Sequence, residues 1–348
     1  MEDYRERVRG SLIGGAVGDA LGWPVEFLRL DQIREQYGPA GQTGKPKALL
    51  QVTDDTQMTL FTAEGLIRSR LAGGADEAVG PALHAAYRRW YLTQQQQAPH
   101  AEPQAAPYDG WLLRQPFLYA RRAPGRACWT GVQEEYRPAE PIGLHGTVNG
   151  HSKGCGTVMR SAPFGLLRLG PERAFELAAR GAQLTHGHPT GYLAAGAFAA
   201  LVDRVTAGQE LRSAVELTVQ QVAGHPQGEE TVQALRRAVE LADGAPAAEE
   251  TVEQVGLGWI AEECLAIAVY GALVAERVGV RQALLLSVNH SGDSDSTGAV
   301  CGNLLGARFG LAALPEEWTA AVEGREVLLR VADDLVGLVA LEERYAAR

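Results

Sequence analysis

"GSLIGGAVGDALGWPVEF", residues 10–27, joins a glycine ladder to a proline stop. Helical periodicity runs from Tyr4 to Leu21, and Pro24 cannot continue a helix, so the segment should stop at Gly22. Its glycines are unusual: Gly10, Gly14, Gly18 and Gly22 recur every four residues. In "NHSGDSDSTGAVCGNLLGARFG", residues 289–310, Gly298, Gly302 and Gly306 repeat that spacing. A glycine inside a helix costs roughly 1 kcal/mol relative to alanine. Two such ladders predict helix faces on which backbones approach closely, a packing that is also compatible with room for a ligand or a metal cluster.

Outside these ladders no stretch sustains strict apolar–polar alternation, whereas helical patterns recur over 58–71, 82–92, 172–182, 189–205, 230–242 and 259–278. The expected class is therefore all-α. Between residues 94 and 152 the pattern weakens into "TQQQQAPHAEPQAAP" and a Pro- and Gly-containing stretch, which predicts a loop-rich insertion with one helix near 111–121. "DGAPAAEE", residues 243–250, reads as a connection between helices. The chain, residues 1–348, is expected to form a single domain around one core.

Composition narrows the function. The 348 residues are 46% hydrophobic and only 7% aromatic, which suits close-packed helices of a soluble globular protein. A net charge of −10 argues against a nucleic-acid partner, because phosphate neutralisation needs a basic surface. Cys128, Cys155, Cys264 and Cys301 are scattered, with no C-x-x-C pair, which favours a reducing cytosol. The opening "MEDYRERVRG" is charged, and the apolar run over 11–25 is interrupted by Asp19 and too short to span a bilayer. No membrane role is expected, and the location read is cytoplasmic.

Two clusters carry the chemistry. "QVTDDTQMTLFTAEGL", residues 51–66, sets Thr53 at a helix N-cap with Asp54 and Asp55 in the first turn. Asp293, Asp295 and Ser296 stand in the same way before a second helix. Acidic residues there are ordinarily stabilised by the helix dipole. Both clusters, however, sit at helix starts facing Gly-rich segments, so the starts could converge. Four carboxylates and two hydroxyls are hard oxygen ligands suited to Mg²⁺ or Mn²⁺, and two divalent ions would cancel their formal charge of −4.

"GGAVGDALGWPVEF", "TDDTQMTL", "SKGCGTVMRSAPFGLL", "LTHGHPTGYLAAGAFAALV", "GLGWIAEECLAIAVYGAL" and "SGDSDSTGAVCGNLLGA" occur in the order found in the ADP-ribosylglycohydrolases, a family that includes dinitrogenase reductase-activating glycohydrolase. The resemblance runs from about Gly10 to Gly310. It implies a compact orthogonal multi-helix fold with a central dinuclear site for two Mg²⁺ or Mn²⁺ ions. By motif it implies Thr53, Asp54, Asp55, Asp293, Asp295 and Ser296 as metal ligands, and Glu26 as a glutamate near the scissile ribose. Glu26 and then Asp55 are the candidates for the catalytic base. Gly154, Cys155, Gly156 and Thr157 fall where phosphate recognition is expected, although many members carry Asn where this chain has Cys155. His186 matches a histidine near the ADP-ribose, with His188 and His290 as weaker candidates.

The implied reaction cleaves the bond between ribose C1″ of ADP-ribose and an acceptor, releasing ADP-ribose. The partner would be an ADP-ribosylated protein, with a lean to arginine, or a small ADP-ribosyl conjugate. Two other readings compete. A non-catalytic member, ADP-ribose-binding or crystallin-like, would keep the fold without turnover. "DSDST", residues 293–297, also contains the Asp-x-Asp-x-Thr of haloacid-dehalogenase-type phosphatases, but that motif ends a strand early in an α/β chain, and here it precedes a helix near the C-terminal end.

Overall fold

A computed structural model describes residues 1–44, 49–100, 105 and 108–346, the side chains of 343–346 excepted. The helices follow in the order α1 (Glu2–Gly22), α2 (Leu30–Tyr37), α3 (Asp54–Leu71), α4 (Asp76–Gln95), α5 (Arg126–Gly131), α6 (Ala162–Gly165), α7 (Pro171–Ala182) and α8 (Pro189–Thr206). They continue as α9 (Leu211–Ala223), α10 (Glu229–Gly244), α11 (Glu249–Val255), α12 (Ala261–Val278), α13 (Val280–Val288), α14 (Ser294–Phe309), α15 (Glu316–Ala321) and α16 (Arg325–Ala346). Among the described residues there is no strand, and the only bridges outside strands are Leu50–Val322 and Gly154–Ile260. The all-α expectation is met.

The two glycine ladders pack against each other. A Cβ placed on Gly10 would lie 2.6 Å from the Gly306 carbonyl oxygen, one on Gly14 2.3 Å from that of Gly302, and one on Gly18 1.9 Å from that of Gly298. The fourth rung sets Gly22 against the Ser294 carbonyl oxygen, at 2.1 Å. One ladder ascends as the other descends, so α1 and α14 run antiparallel in direct backbone contact. Any side chain on these rungs would push the helices apart. The same register brings the exit of α1 to the entry of α14, which is where the acidic residues lie.

Around this pair the core is aliphatic. Every residue of α8 is buried, and α12 is buried along all but a few positions of its length. Helix α16 lies on α1 through Arg9, whose guanidinium donates two hydrogen bonds to Asp333, at 2.9 and 2.7 Å.

The expected helices over 58–71, 82–92, 172–182, 189–205, 230–242 and 259–278 fall within α3, α4, α7, α8, α10 and α12, the last starting two residues later than read. The helix expected near 111–121 is absent. Instead two 3₁₀ turns, Leu112–Arg114 and Pro116–Tyr119, are separated by Gln115 in an extended conformation. Pro116 explains this, since it lacks an N–H and drives the preceding residue out of the helical region. Residues 101–104, 106 and 107 of the loop-rich stretch lie outside the described residues. Asp295 and Ser296, read as lying before a helix, stand in the first turn of α14, with Asp293 as its cap.

Candidate active site

Three chain turns meet at the α1–α14 exit. The first follows Gly22: a 3₁₀ turn, Trp23–Val25, contains Pro24 and ends with the Glu26 N–H donating to the Gly22 and Trp23 carbonyls, at 3.0 and 3.3 Å. That tight turn holds Glu26 over the start of α14. Carboxylate oxygens of Glu26, Asp293 and Asp295 lie within 4.8 Å of one another. Glu26 is half-buried and the two aspartates are buried. The sequence reading placed Glu26 outside the hydroxyl–aspartate clusters, whereas the fold brings it into one of them.

The second turn is the start of α3. Thr53 caps the helix as expected, its hydroxyl oxygen accepting from the Asp55 N–H at 3.4 Å. Behind it stands Asp19, a residue of α1 that the sequence reading did not single out. Its carboxylate accepts the Thr53 N–H (2.9 Å) and hydroxyl (2.9 Å) and the Thr56 N–H (3.2 Å) and hydroxyl (2.5 Å). Thr53 therefore commits its proton to Asp19 and, beyond the Asp55 N–H it accepts, keeps one lone pair for another partner. In the sequence Asp19 shows only as the one charge interrupting an apolar, glycine-laddered run; its complete burial emerges from the fold. Asp54 accepts the Gly125 N–H at 3.2 Å, tying the segment before α5 to the site.

The third turn covers residues 154–157. The Cys155 N–H donates to the Trp259 carbonyl at 3.2 Å, and the Ala261 N–H to the Lys153 carbonyl at 2.9 Å, so this turn is pinned to the segment before α12. That segment is joined in turn to α14 by the Asp293 N–H donating to the Leu257 carbonyl at 2.9 Å. Cys155 Sγ consequently sits 2.7 Å from Asp293 Oδ2. Gly154 and Gly156 pack against His186, whose ring atoms would be 3.3 and 3.1 Å from a Cβ at those positions. Thr157 donates its hydroxyl to the Gly191 carbonyl at 2.8 Å. His186 is buried and bonds Thr185 Oγ1 through Nδ1 at 2.7 Å. His188 caps α8 by accepting from the Thr190 N–H, and His290 bonds Thr297 Oγ1 at 2.8 Å, so both are engaged structurally.

The electrostatics match this crowding. Burial, followed by repulsion from Asp293, pushes Glu26 up to about 8. Burial raises Asp19 to about 6 against the opposing Thr53 and Thr56 hydrogen bonds. Asp54, Asp55 and Asp295 are held well above the usual carboxylate range, each chiefly by burial. Neighbouring carboxylates add to this, Asp54 acting on Asp55 and Asp55 on Asp295, while the carboxylate oxygens that come within 4.8 Å of one another are those of Glu26, Asp293 and Asp295. Burial and the Arg160 charge depress His186 to about 3, leaving it a neutral ring. One further atom is informative: Asp55 Oδ1 is buried with no hydrogen-bond partner. Buried acceptors are rarely left so. Hard oxygen donors, shared charge and an orphaned carboxylate oxygen together fit a divalent cation.

The rim is aromatic. Phe27 follows Glu26 at φ 67°, rare for a bulky residue, and stacks on Trp259 with ring centroids 5.2 Å apart. Phe27 is 69% exposed, so a planar group can reach the pair.

An all-helical framework of this kind has a solved counterpart. The chain superposes with a TM-score of 0.64 and 25% identity on an ADP-ribosylglycohydrolase-related protein complex, covering 97% of this chain and 100% of that one. The profile of the ADP-ribosylglycohydrolase family matches residues 1–345, and the chain belongs to that family. It is 24% identical over 345 residues to the ADP-ribosyl-[dinitrogen reductase] glycohydrolase of Rhodospirillum rubrum, covering 97% of this chain and 98% of the relative. It is 24% identical over 340 residues to the ADP-ribosylarginine hydrolase Tri1 of Pseudomonas putida (strain GB-1), covering 96% and 79%. An uncharacterized protein of Archaeoglobus fulgidus is 28% identical over 343 residues, covering 96% and 97%. Family and relatives support ADP-ribosyl hydrolase activity in general.

Proposed function

We propose that this chain is a divalent-cation-dependent hydrolase that cleaves ADP-ribose from an arginine side chain, releasing ADP-ribose and the restored acceptor. The observation that carries the reading is the meeting of Glu26, Asp293 and Asp295 within 4.8 Å. Asp54 and Asp55 add charge that acts on that cluster, and Asp55 Oδ1 is buried without a hydrogen-bond partner. Thr53, Asp54, Asp55, Asp293, Asp295 and Ser296 would hold two Mg²⁺ or Mn²⁺ ions. When bound, such ions supply Lewis acidity and make water a better nucleophile at neutral pH.

The chain's own groups do the rest. Glu26, hung from a rigid turn at the site edge, accepts the proton of the attacking water. The new bond joins that oxygen to C1″, the bond from C1″ to the acceptor breaks, and the departing guanidine nitrogen takes up the proton that Glu26 accepted from the water. Asp55 is the second candidate for the base. The Gly154–Thr157 turn and His186 line the approach, where Cys155, held by its N–H, fixes the spacing to α14. The lean to arginine follows the relative whose name specifies ADP-ribosylarginine.

The test is release of free ADP-ribose from arginine-, serine- and nucleobase-linked conjugates, with Mn²⁺ or with chelator. Turnover of the arginine conjugate that stops on chelation is the expected result. ADP-ribose binding without turnover of any conjugate would favour a non-catalytic member. Glu26→Gln keeps the shape but removes the base, so kcat should fall by roughly 10²–10⁴-fold with ADP-ribose affinity preserved. A variant that hydrolyses normally would pass the role to Asp55.

A further inference from the structure

The aromatic rim breaks a local rule. Glu26 (φ −49°, ψ 139°) and Phe27 (φ 67°) are the two central residues of a turn closed by the Leu28 N–H on the Val25 carbonyl, at 3.0 Å. This is the type II pattern, whose second central position favours glycine or asparagine because φ is positive there. Here a bulky aromatic occupies it. Burial does not offset the strain, because Phe27 is 69% exposed and its ring stacks on Trp259 at an interplanar angle of 25°. Trp259 is held rigidly. Its carbonyl accepts the Cys155 N–H, the Leu257 carbonyl accepts the Asp293 N–H, and Glu263 accepts the N–H groups of Leu257 and Gly258, at 2.9 and 3.3 Å. Strained backbone of this kind clusters at ligand clamps and active sites. With one face of Phe27 on Trp259, the other is open to solvent, one residue from Glu26.

We propose that Phe27 and Trp259 form the acceptor platform of the site, the open face of Phe27 stacking on the planar guanidinium of an ADP-ribosylated arginine while Glu26, next to it in the chain, acts at C1″. The proposal rests on the arginine-hydrolase reading above and adds the groups that select the acceptor. A guanidinium is planar and charged, and it stacks on aromatic faces. A serine acceptor offers neither property, and a nucleobase only planarity. The surrounding charge has the matching sign. Were two divalent ions to balance the four aspartates, Glu26 would still add a negative charge beside the ring, and Glu263 adds another where it holds the segment before α12. Arg29, two residues beyond Phe27, is paired with Asp31 at 2.9 Å, which offsets its repulsion of a cationic acceptor.

Steady-state hydrolysis of arginine- and serine-linked conjugates by the full chain, with ADP-ribose affinity from calorimetry, tests the platform. Phe27→Gly suits the turn and should fold. Its KM for the arginine conjugate should rise by roughly 2–30-fold relative to the serine conjugate, the range of a lost cation–π contact, while ADP-ribose affinity changes little. Trp259→Leu, which removes the backing ring from a separate segment, should shift KM in the same direction. Phe27→Leu keeps apolar bulk without a π face and should be as impaired as Phe27→Gly, whereas Phe27→Trp should match or exceed the wild type. An unchanged KM in Phe27→Gly, or wild-type behaviour in Phe27→Leu, would overturn the platform and leave arginine hydrolysis standing. An equal loss of ADP-ribose affinity would also overturn it, by making the pair a nucleotide contact. A wild type that does not hydrolyse the arginine conjugate would overturn both.

Discussion

Asp19 touches no reacting group, yet it settles how Thr53 presents its hydroxyl, since it accepts both that hydroxyl proton and the N–H behind it. Asp19→Asn keeps the size but turns one acceptor into a donor facing those protons. Mn²⁺ affinity should fall by roughly 10–100-fold, as for other residues that orient metal ligands. Unchanged affinity in calorimetry would mean that Thr53 needs no such support. Glu26 gives the pH dependence. Its folded value, about 8, lies above the ordinary 4.5, so the metal-free folded chain binds protons that the unfolded chain releases. Stability of the metal-free protein should therefore decline as pH rises from about 4.5 to about 8. Asp19, raised from 3.8 to about 6, acts in the same sense lower in the range. With saturating Mn²⁺ the trend should reverse, because protons and cations compete for the same oxygens. Parallel melting-temperature profiles with chelator and with Mn²⁺ would contradict this. At this scale the Thr53 and Asp293 clusters were legible because helix starts advertise acidic and hydroxyl residues. Asp19 was not, because in sequence it only interrupts an apolar run. Glu26 looked remote because it lies past Gly22 and Pro24, far in sequence from both the Thr53 and the Asp293 clusters.

The α1–α14 contact is the element on which the site depends. Gly302→Ala would bring a Cβ to 2.0 Å from the Gly14 carbonyl oxygen and 2.5 Å from its carbon, and backbone on both sides leaves nothing flexible to yield. The loss should reach or exceed the upper end of the roughly 1–3 kcal/mol seen on overpacking a core. Gly337 supplies the opposite case. It is exposed within α16, and a Cβ added there would meet nothing within 4 Å, so Gly337→Ala should gain up to about 1 kcal/mol of helix propensity. Urea denaturation midpoints measure both, and shifts of the same sign would sink the ladder account. Periodicity made the long helices legible. The 111–121 segment misled because its apolar spacing is helical while Pro116 forbids the helix. Asp293 could not be told from Asp295 as the cap, since both are aspartates and an aspartate serves at either position.

Over the whole molecule, function follows from register. Four rungs pair α1 with α14 so that the last, Gly22 with Ser294, places Glu26 beside Asp293 and Asp295. Both ladders could be read in the sequence, but not that each is the other's partner, because pairing across almost the full chain leaves no local trace. Cation binding to the folded chain alone should raise its melting temperature through linkage, and chelation should lower it. An unaltered melt after verified metal removal would count against the centre. The most direct measurement is anomalous scattering from crystals soaked in Mn²⁺. The account predicts Mn²⁺ peaks enclosed by Thr53, Asp54, Asp55, Asp293 and Asp295, whereas an empty map between Asp55 and Asp295 at saturating Mn²⁺ would contradict it.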